Sequence, residues 1–294
     1  MSLYTNAHKN PGSSSFVIIS TVRNVEKSFT KDFLRLNKAF DFASKLYWII
    51  VESDSTDNTR EVIQNHSMEN VNLFFISLGE LASTKPHRTI RIAHSRNVAL
   101  EFLRENVQNL CIDYIVLADL DGRNRHITSE AILSSFEIPD WDVCTANQDG
   151  IYYDIWGLRH EIWSPDDCWT KVFELEKQFG LELAIKVCVT ARQIRIPIDT
   201  TPFQVQSAFG GLAIYRKDVL VNRIYLERLL NGREVCDHVP VNLEITSEGY
   251  KIFMNPKMIN YREQKFIEYF KKFVIVQRFV KKLREYRDDW KLLI

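Results

Sequence analysis

The sequence has no net charge and few cysteines. Its 294 residues include 38 Lys and Arg against 38 Asp and Glu. No global field therefore draws the protein to nucleic acid, and an anionic ligand has to be held by local groups. The five cysteines are scattered, odd in number and without Cys-x-x-Cys spacing. This distribution argues against a disulfide scaffold or a zinc cluster and suits a reducing compartment.

Long apolar runs are also missing. No window of about 18 uninterrupted apolar residues occurs, so the sequence predicts no membrane span. Residues 1–15 are polar and lack the basic start and apolar core of a signal peptide. We therefore expect a soluble, cytoplasmic chain with a flexible N-terminus at residues 1–15. Repeats are absent as well, and the length fits one large α/β domain or two small ones.

Short apolar runs alternate with segments of helical spacing in the first half of the chain. The predicted strands are 16–20, 47–51, 73–77 and 114–118, and the predicted helices are 28–44, 59–65 and 88–105. This order predicts a parallel sheet covered by helices. In such sheets ligands bind beyond the carboxyl ends of the strands, so the chemistry is expected in the loops that follow them.

The strongest chemical signal is Asp119-Leu120-Asp121, which follows the strand 114–118. In an extended segment residues two apart project to the same side, so both carboxylates face one way. Two such carboxylates repel each other unless a cation lies between them. Mg²⁺ or Mn²⁺ would suit them, bridge a diphosphate and assist its departure. The simpler alternative is a solvated turn.

The ends of the first two strands carry further polar residues. Thr21 and Arg23 follow the first strand, and Glu52 and Asp54 follow the second. A carboxylate at a strand end can accept hydrogen bonds from a nucleobase or from ribose hydroxyls, and Glu52 is the candidate for that role. The neighbouring residues 55–57 are better explained as caps of the following helix.

Arginines cluster at the start of the predicted helix 88–105. Arg88 and Arg91 share a helix face, whereas Arg96 and Asn97 are expected to point elsewhere. The guanidinium fork matches phosphate oxygens, so this segment is a candidate site for the phosphates of a donor. A solvated basic helix is the alternative.

Two motifs in the second half are weaker signals. Asp237 lies beside His238, and such a pair can serve as base, metal ligand or orienting group. Capping of a predicted helix at 238–248 is the alternative. Gly210 and Gly211 precede a strand-like run and would allow close approach of a ligand to the backbone, or form a plain turn.

Together these segments resemble the nucleotide-sugar glycosyltransferases of the GT-A fold, most closely the fungal mannan-polymerase and capsule-associated mannosyltransferases. The likeness rests on Thr21-Val22-Arg23-Asn24, Ser55-Thr56-Asp57-Asn58-Thr59, Arg91 through Asn97, Ala118-Asp119-Leu120-Asp121 and Tyr153-Asp154-Ile155-Trp156. The run Cys236-Asp237-His238 resembles the Cys-Glu-His of bacterial sugar transferases. One departure is Glu52, which stands where that fold usually has an aspartate.

The resemblance implies a GT-A fold, with a mostly parallel central α/β sheet flanked by helices. The catalytic domain would span 16–262, with a donor half at 16–125 and an acceptor half at 126–262. The cofactor would be Mn²⁺ or Mg²⁺. The donor would be a GDP- or UDP-sugar, with GDP-mannose suggested by the mannosyltransferase branch.

The resemblance also assigns roles to particular residues. Asp121 would carry most of the metal ligation, with Asp119 beside it and His238 as a further ligand. Asp237 would contact the acceptor or act as its base. The remaining candidates are the donor contacts Thr21, Arg23, Glu52, Asp54, Arg91, Arg96, Asn97, Gly210 and Gly211, and the glycan acceptor contacts Tyr153, Asp154 and Trp156.

We therefore predict a metal-dependent enzyme that transfers a sugar from a nucleotide diphosphate to a carbohydrate hydroxyl, with retention slightly favoured by the resemblance. One alternative is a nucleotidyltransferase, which would usually carry a glycine-rich loop after the first strand, whereas residues 21–24 contain no glycine. Another is a non-catalytic carbohydrate-binding module that uses Trp141, Trp156, Trp163 and Trp169 as stacking platforms.

Residues 263–294 show an apolar stripe flanked by lysines and arginines. This pattern predicts a basic amphipathic helix. Packing on the domain is the simpler interpretation, and peripheral contact with an anionic membrane surface is the alternative.

Overall fold

The computed structural model describes residues 8–262, apart from the side chains of residues 107–109. The predicted C-terminal helix at 263–294 lies outside the described residues, as do the first seven residues of the predicted flexible N-terminus. Residues Pro11–Ser13 form a 3₁₀ helix just ahead of the first strand.

One sheet of eight strands forms the centre of the described chain. The strands β1 to β8 are Ser15–Val22, Lys45–Glu52, Leu73–Ser77, Tyr114–Ala118, Val143–Asp149, Phe203–Val205, Leu212–Arg216 and Ile252–Arg262. Their order is β3-β2-β1-β4-β7-β5-β8-β6. Four neighbouring pairs are parallel, and the three antiparallel pairs are β4 with β7, β7 with β5, and β8 with β6.

Helices flank this sheet, as predicted. The helices α1 to α8 are Phe29–Ala39, Thr59–Glu69, Arg88–Leu110, Ser129–Leu133, Cys168–Phe179, Leu181–Cys188, Lys217–Leu220 and His238–Ser247. The longest of them, α3, lies against β1 and β2. The predicted α/β architecture with a mostly parallel sheet is confirmed.

The central strands are apolar because both faces of the sheet are covered. Along β1, Val17 and Ile19 join the hydrophobic core on one face, whereas Phe16 and Ile18 join the core on the other. All four side chains are fully buried. Full burial of one such side chain is worth about 1.5–3 kcal/mol relative to exposure. These strands therefore form the rigid base from which the polar loops project.

The predicted strands 73–77 and 114–118 match β3 and β4 residue for residue. The predicted first helix, 28–44, is too long, because α1 ends at Ala39. Residues 40–44 turn instead, and the backbone N–H of Ser44 donates to the carbonyl of Ser14. This contact starts the pairing of β1 with β2, so tertiary pairing overrides the helical periodicity at the end of the segment.

Two glycines immediately precede the antiparallel strand β7 and lie beside the acidic end of β4. Gly210 and Gly211 have φ angles of +66° and +90°, in the region that disfavours residues with a Cβ. A Cβ on Gly210 would lie 2.9 Å from the carbonyl oxygen of Ala146. The carbonyl of Gly211 accepts a hydrogen bond from the backbone N–H of Asp119 at 3.0 Å. The pair therefore serves close backbone packing behind the acidic residues.

Replacing Gly210 with alanine should destabilise the protein through both the strained backbone and the clash with Ala146. We expect a loss of about 2–4 kcal/mol in the free energy of unfolding, measured by denaturant titration. The matched control is Gly249→Ala, where φ is +91° but nothing lies within 4 Å of the added Cβ. That control should lose only about 1–2 kcal/mol. Equal losses in the two variants would contradict the packing role.

Candidate active site

A cleft of about 480 Å³ lies at the carboxyl ends of β1, β2 and β4, where a sheet of this kind binds ligands. Helix α3, the start of α8 and the loop after β5 complete its walls. Among the predicted site residues, those that line the cleft are Thr21, Arg23, Asp54, Arg91, Arg96, Asp119, Asp121, Tyr153, Asp154, Trp156, Asp237 and His238. The structure therefore brings most of the predicted residues together.

The backbone around Asp119 is fixed from two sides. Its N–H donates to the carbonyl of Gly211, and its carbonyl accepts a hydrogen bond from the Asn124 side chain at 2.8 Å. Asn124 is itself buried and also donates to the carbonyl of Gly211 at 2.9 Å. Asp121 is exposed, and its Oδ1 accepts from the N–H of Arg123 at 3.1 Å. The acidic pair therefore sits on a rigid turn with both carboxylates at the cleft.

Burial and several neighbouring carboxylates act on Asp119. Burial raises its pKa to about 7, and the carboxylates of Asp121, Asp154 and Asp237 add to the rise, whereas Arg96 opposes it. Burial and neighbouring like charges both disfavour the ionised form of a carboxylate. A divalent cation at Asp119 would favour it.

The donor set fits a cation that takes part of its coordination from a ligand. Within residues 8–262, no group of three or more His, Cys, Asp and Glu side chains is placed to hold a metal ion. Mg²⁺ commonly binds through one or two carboxylates and completes its octahedron with water and phosphate oxygens. Asp119 and Asp121 match that pattern, because a complete protein cage is not required.

Arg96 forms the main internal counter-charge of the cleft. Its Nε donates to Oδ2 of Asp237 at 2.6 Å, and its Nη2 donates to Nε2 of His238 at 3.0 Å. The guanidinium carbon lies 5.6 Å from the ring centroids of Phe209 and Tyr225. Arg96 and Asp237 keep only 5% and 9% of their side-chain exposure. Removal of either partner would leave a buried charge unpaired, which is costly.

The two neighbours of Arg96 differ in charge. Burial works against ionisation of Asp237, but its interactions with His238 and with Arg96, which also donates a hydrogen bond, lower its pKa below the usual value. Burial and the charge of Arg96 lower the pKa of His238 to about 3. The imidazole is therefore neutral near pH 7, and Arg96 is the partner that keeps Asp237 ionised there.

The expected role of His238 as a metal ligand does not fit this geometry. Its Nε2 accepts from Arg96, and its Nδ1 is buried without a hydrogen-bond partner among the described residues. Phe209 stacks on the ring at a centroid distance of 4.0 Å. His238 lines the cleft but offers no accessible lone pair there, so its position supports orientation of Arg96 instead.

Arg91 and Asp54 line the cleft, but their polar groups bind each other and the backbone of residues 81–86, in the loop before α3. Arg91 Nε lies 3.2 Å from Oδ2 of Asp54, and its Nη1 donates to the carbonyls of Lys85 and Pro86. Oδ1 of Asp54 accepts from the backbone N–H groups of residues 81 and 82, both at 2.8 Å. The predicted phosphate contact from Arg91 would therefore compete with three internal carbonyl and carboxylate partners.

Glu52 and Asn97 do not line the cleft, which corrects their predicted donor contacts. The Glu52 side chain is fully buried, and it accepts from the N–H of Ser55 at 2.8 Å and from the hydroxyl of Ser77 at 2.6 Å. Asn97 instead clamps Tyr225, donating to its carbonyl at 2.9 Å and accepting from its N–H at 2.7 Å. Both side chains stabilise loops behind the site.

Gly210 and Gly211 are not among the residues that line the cleft, and their backbone groups bind two of its acidic residues. The N–H of Gly210 donates to Oδ2 of Asp154 at 3.0 Å, while Oδ1 accepts from the N–H of Gly157 at 3.2 Å. Burial raises the pKa of Asp154, and the two N–H groups lower it in part. The glycines thus position two of the acidic residues rather than bind a donor.

Arg123 is a cleft residue that the sequence did not single out. Its guanidinium carbon lies 4.3 Å from the ring centroid of Tyr153, a cation–π arrangement. Arg88, which the sequence analysis placed in the candidate phosphate segment, is exposed and also lines the cleft. Neither side chain makes a hydrogen bond or ion pair within the described part of the chain. The sequence feature that could have identified Arg123 as a cleft residue is its position two residues after Asp121.

Comparisons with known proteins identify the fold. No family model matches the chain, and no curated protein matches it. The crystal structure of S. aureus TarS matches with a TM-score of 0.52 and 16% identity, covering 89% of this chain and 39% of that one. At this identity the likeness shows the fold alone, which is the GT-A fold of nucleotide-sugar glycosyltransferases.

Two further solved structures match at TM-scores below 0.5. S. aureus TarS 1-349 in complex with UDP gives 0.48 and 17% identity, covering 85% of this chain and 60% of that one. The mannosyltransferase PcManGT from Pyrobaculum calidifontis in complex with GDP-Man and Mn²⁺ gives 0.45 and 14% identity, covering 95% and 67%. This chain thus spans less than two thirds of the TarS chains. No helix among residues 8–262 has the length and apolar content needed to cross a membrane.

Removing the charge of Asp119 should stabilise the metal-free protein at alkaline pH. Its pKa is near 7 in the folded protein against a usual 3.8. The stability that the protonated form contributes is therefore fully present below about pH 4 and is lost as the pH rises to about 7. Metal-free Asp119→Asn should melt about 2–8 °C above the wild type at about pH 8 and level with it at about pH 4. Thermal unfolding in the presence of a chelator measures this.

The control is Asp199→Asn, which changes an exposed aspartate outside the cleft. This variant should follow the wild type at both pH values. Added Mn²⁺ should raise the melting temperature of the wild type and leave Asp119→Asn unchanged. An Asp119→Asn variant that melts below the wild type at alkaline pH would contradict the assigned charge imbalance.

Proposed function

We propose that this protein is a metal-dependent glycosyltransferase that moves a sugar from a nucleotide diphosphate donor to a hydroxyl group of a glycan. One observation carries the proposal: Asp119 and Asp121 line one cleft at the end of β4, where burial and neighbouring carboxylates disfavour the ionised form of Asp119. The GT-A fold supports it, because this cleft lies at the strand ends where such a sheet binds ligands.

The donor phosphates would lie between the acidic pair and the cleft arginines that form no ion pair with a described residue. A bound Mn²⁺ or Mg²⁺ would neutralise charge on the departing diphosphate. Arg88 and Arg123 supply guanidinium groups suited to phosphate oxygens, and Arg23 adds a third at the end of β1. GDP-mannose, which the sequence resemblance suggests, is the first donor to test.

Asp237 is the acceptor-side candidate. Arg96 engages its Oδ2, and Oδ1 accepts no hydrogen bond from another described residue. In the proposed step an acceptor hydroxyl oxygen attacks the anomeric carbon, and its proton passes to Oδ1 of Asp237. The bond between that carbon and the diphosphate oxygen breaks, and the nucleotide leaves with the electron pair. Nearby carboxylates would stabilise the oxocarbenium character of the sugar.

The position of the tryptophans argues against a carbohydrate-binding module. Trp141 is 1% exposed and stacks on His8 at 4.3 Å. Trp163 and Trp169 pack against the hydrophobic core, and the Nε1 of Trp163 donates to a backbone carbonyl. Only Trp156 of the four lines the cleft. A row of exposed stacking platforms is therefore missing from the described residues.

Asp121→Asn should abolish turnover and leave the fold intact, because Asp121 is exposed and its backbone contacts stay. We expect a fall of at least about 100-fold in the release of nucleotide from a sugar nucleotide with Mn²⁺. A thermal-shift panel of GDP, UDP, CDP and dTDP, with and without Mn²⁺, should show a Mn²⁺-dependent shift in the wild type that Asp121→Asn loses.

The matched control for this prediction is again Asp199→Asn, which should keep both turnover and the nucleotide shift. The strongest nucleotide shift identifies the base of the donor. If Asp121→Asn has the turnover and the melting temperature of the wild type, the assignment of Asp121 as a metal ligand is contradicted.

A single base at Asp237 predicts that the anomeric configuration of the transferred sugar inverts, because one displacement occurs at the anomeric carbon. The sequence resemblance slightly favours the opposite outcome. NMR of the product glycoside, recorded early in the reaction of the wild-type enzyme, distinguishes the two through the one-bond carbon–hydrogen coupling constant at the anomeric carbon. Retention would exclude the single displacement with Asp237 as base.

A further inference from the structure

A second concave surface lies next to the cleft and is strongly basic. We call it the basic groove; its volume is about 920 Å³. Its cations come from α1, from the loop after β4 and from the end of β8. They are Lys31, Arg35, Lys38, Arg125 and Arg262, and the only acidic residues that line it are Asp41 and Glu130.

These cations are not used internally. In the part of the chain from 8 to 262, none of the five takes part in an ion pair. Both acids have local partners: Asp41 accepts from the hydroxyl of Ser129 at 3.1 Å, and Glu130 accepts from that of Thr128. The Nε of Arg125 is buried without a hydrogen-bond partner among the described residues. The basic groove therefore has positive charge available for a ligand.

The cations also converge in space. Lys31, Arg35 and Lys38 lie at positions i, i+4 and i+7 of α1 and share one helix face. On the opposite wall, burial lowers the pKa of His126, and the charges of Arg125, Arg35 and Arg262 lower it further. Three guanidinium groups from three separate elements thus act on one imidazole.

The basic groove and the cleft lie beside the same turn. The ring of Tyr261 contacts both Arg123 of the cleft, at 5.5 Å, and Arg125 of the groove, at 4.4 Å. The α1 wall is tied to this turn, because Oδ2 of Asp32 accepts from the N–H of Gly122 at 2.7 Å. Gly122 directly follows Asp121. A ligand bound in the groove would therefore lie next to the turn that carries the acidic pair.

We propose that the basic groove binds an anionic glycan, one whose chain carries sulfate, phosphate or carboxylate groups, and directs its reacting end into the cleft. This inference rests on the proposed function and names the class of its acceptor. A concave slot beside the cleft suits a single flexible chain better than a flat membrane surface. It supplies cations spaced along its walls for successive anionic groups.

The test compares a groove variant with a matched charge variant of the whole chain. The groove variant is Lys31→Gln with Arg35→Gln and Lys38→Gln. The control is Lys45→Gln with Lys177→Gln and Arg228→Gln, which removes three exposed cations outside both concave surfaces. Fluorescence anisotropy measures binding of a labelled dextran sulfate oligosaccharide and of a neutral dextran of the same length.

We expect the wild type to bind dextran sulfate and not neutral dextran. The groove variant should bind about 10- to 100-fold more weakly, with a smaller dependence of affinity on salt, whereas the control variant should change less than about threefold. An affinity in the groove variant within threefold of the wild type would overturn the proposal, as would an equal loss in the control.

Two further ligands test other classes of partner. Vesicles that contain phosphatidylserine are titrated into the same three proteins. A short DNA duplex is titrated into them separately. Binding that depends on the groove cations for either of these, but not for dextran sulfate, would overturn the assignment to a glycan. Metal-dependent release of nucleotide by the wild type is measured separately, so failure of the proposed function is distinguished from failure of the groove assignment.

Discussion

The charge balance at the end of β4 is the constraint on which the rest of the site depends. The carboxylates of Asp119, Asp121, Asp154 and Asp237 act on one another, and one buried guanidinium, that of Arg96, offsets only part of their charge. Carboxylates repel unless a cation lies between them. The fold tolerates this arrangement because backbone N–H groups and the glycine pair hold the acidic residues in place.

The arginines around the cleft divide into two groups with different tasks. Arg91 and Arg96 are largely buried and bind carboxylates and carbonyls of the protein itself. They fix the walls of the cleft and reduce its negative charge. Arg88 and Arg123 have no ion-pair partner within residues 8–262 and face the same space. A phosphate group would thus meet a pre-organised wall and two available cations, which lowers the cost of ordering side chains on binding.

The turn that follows Asp121 links the two concave surfaces. Gly122 bonds to Asp32 of α1, Arg123 faces the cleft, and Arg125 faces the basic groove.

The sequence by itself determined the central strands and the acidic pair. Apolar runs such as 114–118 indicated buried strands, and the two carboxylates that follow this run were predicted to lie at its end. The structure places them on a turn after β4 instead of in an extended segment. Only the tertiary structure decided where Glu52, Asn97 and His238 point, because a buried polar side chain takes whichever partners packing brings within reach. It also brought Arg96 into the same cleft as Arg88, because Asp237 and His238 at the start of α8 contact the Arg96 side chain. The basic groove escaped sequence analysis for the same reason: its cations come from three segments that meet only when α1 packs beside the turn after β4.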